Sequence, residues 1–420
     1  MSKVFSLIDG NNFYVSCERI FNPSLENKPV IVLSSNDGCV IARSNEVKSL
    51  GIKMGEPYFK ILPLVKTNNI KVLSANFALY GDISRRMMNI ITSFAVKSEI
   101  YSIDECFLDF SDLEIQEITK ISTEIRIRVK KWLGIPVSIG IGQTKTLAKL
   151  ANQIAKRNSN GCHHLLTIRD IKYALASTLV KDIWGIGYKY ASKLNDLKIY
   201  TANDLVNADD QLIRKNTNIL GLKTTLELRG KSCIDLEEVA DPKKSITVSR
   251  SFSRDIQEFE ELSQAIAYFT ARAAEKLRSS NQMTKSFSIF IQSNPFAKDS
   301  KAYSNSCNIT LPYPTDSTPE LLNNINKALI KIYHNDYSYK KAGILLYDLQ
   351  AKSTKSIDLF DKRNIKRDTS LMNALDQINQ NYGRRTIFIA STGISHSWLP
   401  KSNMKSDGYV SNWNEIVRVV

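Results

Sequence analysis

Two adjacent carboxylates, Asp104 and Glu105, interrupt residues 100–110, a run otherwise dominated by Ile100, Tyr101, Ile103, Cys106, Phe107, Leu108 and Phe110. Side-by-side carboxylates at the edge of an apolar strand repel each other and lose hydration. A divalent cation relieves both costs; a plain polar turn between two strands is the bland alternative. A third carboxylate favours the cation. Residues 4–9, Val-Phe-Ser-Leu-Ile-Asp, read as a short buried strand ending at Asp9. If the two strands pair, Asp9 joins Asp104 and Glu105, with enough oxygen donors for two Mg²⁺ ions roughly 3.5–4 Å apart. The chemistry of such a pair is in-line displacement at phosphorus.

The elements that must position these groups follow from periodicity. After the first strand, Phe13, Tyr14, Cys17 and Ile20 recur at helical spacing. Residues 26–76 read as an inserted module: a strand Val30-Ile31-Val32-Leu33, a turn at Asn36-Asp37-Gly38, a returning strand, and a helix from 44 to 50 that Ser44 can cap. Cations near that helix start, Arg43 and Lys48, suit a triphosphate; a solvated helix face is the alternative. Residues 80–94 and 113–132 are expected as helices, and residues 137–142 as a strand. The order β-α-β-β-α-β is that of a ferredoxin-like sheet with two helices on one face. Residues 143–157 then carry Lys145, Lys149, Lys156 and Arg157 without one acidic residue. Unpaired cations beside three carboxylates suit phosphates; a bland surface helix would carry some Glu or Asp.

Residues 166–235 read as helical, with Trp184-Gly185-Ile186-Gly187 as the turn of a helix-hairpin-helix. Its backbone N–H groups and Lys189 would grip a DNA phosphate without reading sequence; a plain helical turn is the alternative. A polar linker, 236–247, leads to a second β-α-β-β-α-β pattern over 248–350. There Arg250 and Arg254 lie on a strand that could follow a phosphate backbone. One helix is expected over 319–333. Residues 351–420 show no third domain.

The chain has 420 residues, 43% hydrophobic and 24% charged, and can bury several cores. No run of ~20 apolar residues suggests a membrane span, and no signal peptide is expected. The six cysteines lie at 17, 39, 106, 162, 233 and 307 with no CxxC pair, which suggests reduced thiols in the cytoplasm. Cys162-His163-His164 has no second ligand pair nearby. The net charge of +15 favours a polyanion partner, with solubility as the alternative.

Three blocks carry a family resemblance: Ile8-Asp9-Gly10-Asn11-Asn12-Phe13-Tyr14, Tyr101-Ser102-Ile103-Asp104-Glu105, and Gly142-Gln143-Thr144-Lys145-Thr146-Leu147-Ala148-Lys149. They resemble the motifs of Y-family DNA polymerases, and 36–43 resembles the UmuC branch. The resemblance implies an α+β, multidomain polymerase with a ferredoxin-like palm (1–25 and 77–165), small fingers (26–76), a helix-hairpin-helix thumb (166–235) and a β-α-β-β-α-β little finger (248–350). It implies error-prone translesion synthesis in the SOS response to DNA damage. Asp9, Gly10, Asp104 and Glu105 would be the metal residues. Tyr14 would be the steric gate under the sugar of an incoming dNTP. Arg43, Asn45, Lys48 and Lys156 would meet the triphosphate, with Asn45 and Lys48 standing where many members have Tyr and Arg. Lys145, Lys149, Gly185, Gly187, Lys189, Arg250 and Arg254 would lie against primer-template DNA. Ile357, Leu359 and Phe360 look like a sliding-clamp peptide with Ser356 in place of its usual Gln. The tail, 351–420, would meet a UmuD′-like dimer and RecA. A nucleotide cyclase with the same core, and a DNA-binding subunit with a degenerate metal site, are the rival readings.

Overall fold

A computed structural model describes residues 3–158, 160–239, 241–297, 302–354, 361 and 363–416. The chain forms two compact units, Met1–Ala240 with Asn403–Val420, and Asp241–Ser402. Their first boundary falls inside the polar linker.

The first unit begins with β1 (Phe5–Gly10) and α1 (Phe13–Phe21). A module follows: β2 (Val30–Leu33), β3 (Val40–Arg43), α2 (Asn45–Ser49), α3 (Tyr58–Thr67) and β4 (Lys71–Ser74). Then come α4 (Phe77–Thr92), β5 (Ser98–Ile100), β6 (Glu105–Asp109), α5 (Ile115–Leu133), β7 (Val137–Gly142), α6 (Lys145–Ala155) and β8 (Cys162–Leu165). The main sheet has the order β5-β6-β1-β7-β8. β1 runs antiparallel to both β6 and β7, the ferredoxin-like arrangement, and β8 adds a fifth strand parallel to β7.

β1 is buried along its whole length, as a central strand covered on both faces must be. On one face Ile8, Cys106 and Leu108 meet Tyr80 and Met87 of α4 and Ile118 and Ile125 of α5. On the other, Phe5, Leu7 and Phe107 meet Ala148 of α6. This third covering helix goes beyond the two expected. Gly140 lets it approach: a Cβ there would sit 2.1 Å from Asn152 N and 2.3 Å from Ala148 O.

The inserted module has its own sheet, β3-β2-β4, over Ile31, Leu33, Val40, Val47 and Ile61. One expectation fails here. Ser44 does not cap α2; its hydroxyl accepts the Val30 N–H at 3.1 Å and ties the helix start to β2 instead. After β8 the helices are α7 (Ile168–Ser177), α8 (Tyr188–Asp196), α9 (Ala202–Asn207), α10 (Asp210–Asn216) and α11 (Ile219–Leu228). Glu227, fully buried in α11, accepts from Thr146 N, Thr146 Oγ1, Cys233 N and Ile234 N at 2.8–3.1 Å. Four donors keep that carboxylate satisfied and fix α11 to the first turn of α6.

The second unit holds β9 (Ile246–Ile256), α12 (Phe259–Ser279), β10 (Gln282–Ser293), β11 (Ser304–Thr315), α13 (Thr318–Leu322), α14 (Ile325–Ile332), β12 (Tyr339–Ala351) and α15 (Ile365–Asn381), with sheet order β11-β10-β12-β9. The single helix expected over 319–333 is broken at Asn323-Asn324, residues whose side chains compete for backbone hydrogen bonds. The tail also departs from expectation. α15 docks through a bidentate Arg278–Asp376 pair at 2.6 and 2.8 Å, and Trp398 is fully buried beside Phe252, Phe269 and Tyr268. The stretch from 365 to 402 is therefore part of this unit's fold, not a free appendage. No helix among the described residues is long and apolar enough to cross a membrane.

Candidate active site

Strand register assembles the acidic centre. Asp9 and Glu105 are direct partners across β1 and β6, and Gly10 N donates to Asp104 O at 2.9 Å. Direct partners project to one face, the face that α6 covers. Asp104 lies in the turn before β6, and Ser102 Oγ donates to its Oδ1 at 2.8 Å.

Along α6 and its C-cap, Lys145, Lys149, Asn152 and Lys156 follow each other at intervals of four, three and four, which puts them on one face. That face looks at the sheet. Lys145 Nζ is 2.6 Å from Glu99 Oε2, Lys149 Nζ 2.8 Å from Glu105 Oε1, and Lys156 Nζ 2.7 Å from Asp9 Oδ2. Asn152 Nδ2 donates to Ser138 O and Leu7 O at 2.8 and 3.3 Å. Lys145 and Lys149, expected against DNA, thus meet carboxylates of the sheet in this structure. Lys145 is 2% exposed and sealed by Glu99; Lys149 is largely buried and lies 4.3 Å over the Tyr101 ring. Neither ammonium is presented to a phosphate backbone. Lys149 also sits 5.2 Å from the Trp184 ring, whose Nε1–H donates to Tyr101 Oη at 3.2 Å, so the Trp184–Gly187 turn and Glu105 share a neighbour.

Between β1, β3 and α2 a cavity of about 380 Å³ is lined by Asp9, Gly10, Asn12, Tyr14, Arg43, Lys48, Asp104 and Lys156 among others. Burial pushes the Asp9 carboxyl up to about 6, a rise that Lys156 opposes and that Asp104 and Glu105 reinforce. Asp104 is raised chiefly by burial as well. Lys48 is lowered, first by burial and then by Lys156 and Arg43, so three cations converge on the cavity. Asn45 works at one remove. Its Oδ1 accepts from Lys48 Nζ at 3.2 Å and from Asn12 Nδ2 at 3.0 Å. Arg43 donates to Ile52 O. Tyr14 lies flat on Tyr80, ring centroids 4.4 Å apart and 14° from parallel.

Among the described residues, no group of three or more His, Cys, Asp or Glu side chains is gathered tightly enough to hold a metal. The reason is visible: Lys156 holds Asp9, Lys149 holds Glu105, and Ser102 holds Asp104. The donor chemistry still fits Mg²⁺. The oxygens are hard, Asp9 and Asp104 line the cavity, and Mg²⁺ is usually held by one or two carboxylates plus substrate phosphates.

The other sequence candidates are spread out. Gly185 has φ 86°, the left-handed region, and Gly187 precedes α8, which begins at Tyr188 and carries the exposed Lys189. Arg250 is exposed on the edge strand β9. Arg254 is held by Glu261 and by Ser397 Oγ at 3.0 Å. Ile357, Leu359 and Phe360 lie outside the described residues. Sequence reasoning missed Glu99, Ser102, Asn12 and Tyr80. Glu99 had a signal: a lysine-rich helix without acids needs partners elsewhere, and Glu99 sits six residues before Glu105.

Family models match twice, as the impB/mucB/samB family over residues 8–153 and as that family's C-terminal domain over 243–359; a domain of unknown function matches 369–419. Protein UmuC of Salmonella typhimurium is 40% identical over 421 residues, covering 99% of this chain and 100% of that protein. DNA polymerase IV of Acetivibrio thermocellus is 27% identical over 409 residues, covering 94% of this chain and 100% of that protein. A solved Y-family DNA polymerase chimera, Dbh-Dpo4(243-245)-Dbh, superposes with TM-score 0.67 at 20% identity, covering 83% of this chain and 99% of the other. The two-unit fold, the carboxylates meeting across β1 and β6, and full-length likeness to UmuC agree: the chain belongs to the impB/mucB/samB family and has the fold of a Y-family DNA polymerase.

Proposed function

We propose that this chain is an error-prone, DNA-directed DNA polymerase subunit of the SOS response to DNA damage, adding deoxynucleotides to a primer 3′-hydroxyl. The observation that carries the reading is one cavity lined by both carboxylates and cations: Asp9 and Asp104 with Arg43, Lys48 and Lys156. Asp9, Gly10, Asp104 and Glu105 would hold two Mg²⁺ ions, which when bound activate the hydroxyl and neutralise charge at phosphorus. Arg43, Lys48 and Lys156 orient the triphosphate, with Asn45 and Asn12 fixing the Lys48 ammonium. Tyr14 lies under the sugar and excludes a 2′-hydroxyl. Positioning and electrostatics supply the rate; no nucleophilic side chain takes part.

The substrates are primer-template DNA and a dNTP. The Gly185–Gly187 turn with Lys189 grips backbone phosphate on one unit, and Arg250 does so on the other. A UmuD′-like dimer, RecA and the sliding clamp are the partners that the UmuC likeness supports, in the cytoplasm. A cyclase shares the sheet but has no use for a duplex-gripping turn. The test is primer extension with purified protein, accessory factors included. Asp104→Asn should lower extension by about 10³-fold, roughly 4 kcal/mol of barrier, while DNA binding persists. Equal extension by wild type and variant would end the reading.

A further inference from the structure

The last described stretch of the chain, 403–416, belongs to the first unit although 365–402 belongs to the second. It lies along the free edge of β4. Ser74 N donates to Met404 O at 2.9 Å, Met404 N donates to Ser74 Oγ at 2.9 Å, and Lys405 pairs with Ser74 as a parallel bridge. Asn403 N donates to Asp37 Oδ2 at 3.1 Å, and Asn76 Nδ2 donates to Ser406 Oγ at 3.0 Å. Tyr409 stacks on Phe21 of α1 with centroids 4.7 Å apart and planes 5° from parallel, and it packs with Val410 against the palm core. This is a segment held by backbone pairing, side-chain bonds and a ring stack, not a loose end.

Its middle reaches a buried charge. Ser406 Oγ donates to Glu18 Oε1 at 3.2 Å, and Tyr80 Oη donates to the same oxygen at 2.6 Å. Glu18 is 2% exposed, and no salt bridge to it occurs among the described residues. Burial raises its carboxyl, and Tyr80, Ser406 and Lys405 oppose the rise, so two of the three groups that oppose it come from the tail. Tyr80 is wholly buried, and its ring is the one on which Tyr14 lies. An unbroken path of contacts therefore runs from Ser406 through Glu18 and Tyr80 to Tyr14.

We infer that residues 403–410 form an intramolecular strap whose Ser406 and Tyr409 are positioning residues for Tyr14, setting the sugar selectivity of the nucleotide pocket. The inference rests on the reading of Tyr14 as the sugar gate. It gives a role to part of the stretch that a domain of unknown function matches. The physics is local. A stacked ring resists a 2′-hydroxyl only as firmly as its support is fixed. Tyr80 is fixed by one strong bond to a carboxylate, and that carboxylate is held from behind by the strap.

The experiment measures kcat/KM for a dNTP and the matching ribonucleotide, on one undamaged primer-template, in full-length variants. Their ratio is independent of how much of each preparation is folded. Tyr14→Ala should lower discrimination by roughly 100-fold, as expected for removing a shape filter. Ser406→Ala, Tyr80→Phe and Tyr409→Ala should each lower it by about 3- to 10-fold, the size of one lost buried contact. The change should come through KM for the ribonucleotide, with kcat for the dNTP held. Trp413→Ala, on an 89% exposed side chain in the same segment, should leave the ratio unchanged. An unchanged ratio in Tyr14→Ala would remove both readings. A collapsed ratio in Tyr14→Ala with wild-type ratios in all three strap and Tyr80 variants would overturn the strap alone.

Discussion

The two units carry the same string of elements, β-α-β-β-α-β, and put their first strand in different places. In the first unit β1 is central, between β6 and β7; in the second β9 is the edge strand, with β12 as its neighbour in the sheet. Burial follows. Every residue of β1 is buried, whereas β9 is buried only at Ile246, Val248, Phe252 and Ile256 and is half-buried or exposed between them. A charged group on β1 therefore needs partners from neighbouring strands and from the helix above. One on β9 meets solvent. Asp9 is desolvated and paired with Lys156, while Arg250 is exposed. The same topology string thus yields a place for chemistry when the first strand is interior and a place for surface grip when it is marginal.

The contrast breaks hardest at Lys145. If the α6 stripe is an interior counter-charge, Lys145→Met strands the buried Glu99 and should cost ~3 kcal/mol of unfolding free energy. Chemical denaturation measures this, and DNA affinity per folded molecule should not change. A weaker DNA complex with undiminished stability would return Lys145 to the DNA surface.

The desolvation of Asp9 gives the next effect. Its folded value is raised to about 6, so in metal-free protein its contribution to stability is complete below the unfolded carboxylate value and is lost as pH rises through about 6. Metal affinity runs the other way, because the proton competes for the same oxygens. The Mg²⁺ concentration for half-maximal extension should rise about tenfold per pH unit below 6. A flat dependence between pH 5 and 7 would show that Asp9 is not the limiting ligand.

The smallest effect belongs to the edge strand. Arg250→Ala should weaken DNA binding by a few-fold, independently of sequence, and reduce the slope of log Kd against log salt by about 1. Fluorescence anisotropy over a salt series measures it. An unaltered slope would mean that the exposed edge does not contact phosphate.

Much of this was legible before any coordinates. The unbroken burial of β1 is written in Phe5-Ser6-Leu7-Ile8, and the solvent-facing part of β9 in the polar Ser249-Arg250-Ser251 between the buried Val248 and Phe252. Asp9, Asp104 and Glu105 were identifiable because carboxylates ending apolar strands are costly without a purpose. The partners of the α6 lysines are not legible in the sequence, for a physical reason. A period of 3.6 tells which residues share a face, but not what covers that face. Gly140 was the overlooked clue, since a glycine inside a strand marks close approach of another backbone.

Residue types and local periodicity alone determined most of the strands and helices, the three candidate carboxylates and the cationic character of α6, but not β4 or β8. Tertiary structure alone decided which charges neutralise which, because Lys145 meets Glu99 and Lys156 meets Asp9 only once the sheet has closed. It alone decided the fate of the tail. Ser406 and Glu18 stand 388 residues apart, and no local rule connects partners at that distance; only the folded chain brings a hydroxyl to a buried carboxylate that needs one.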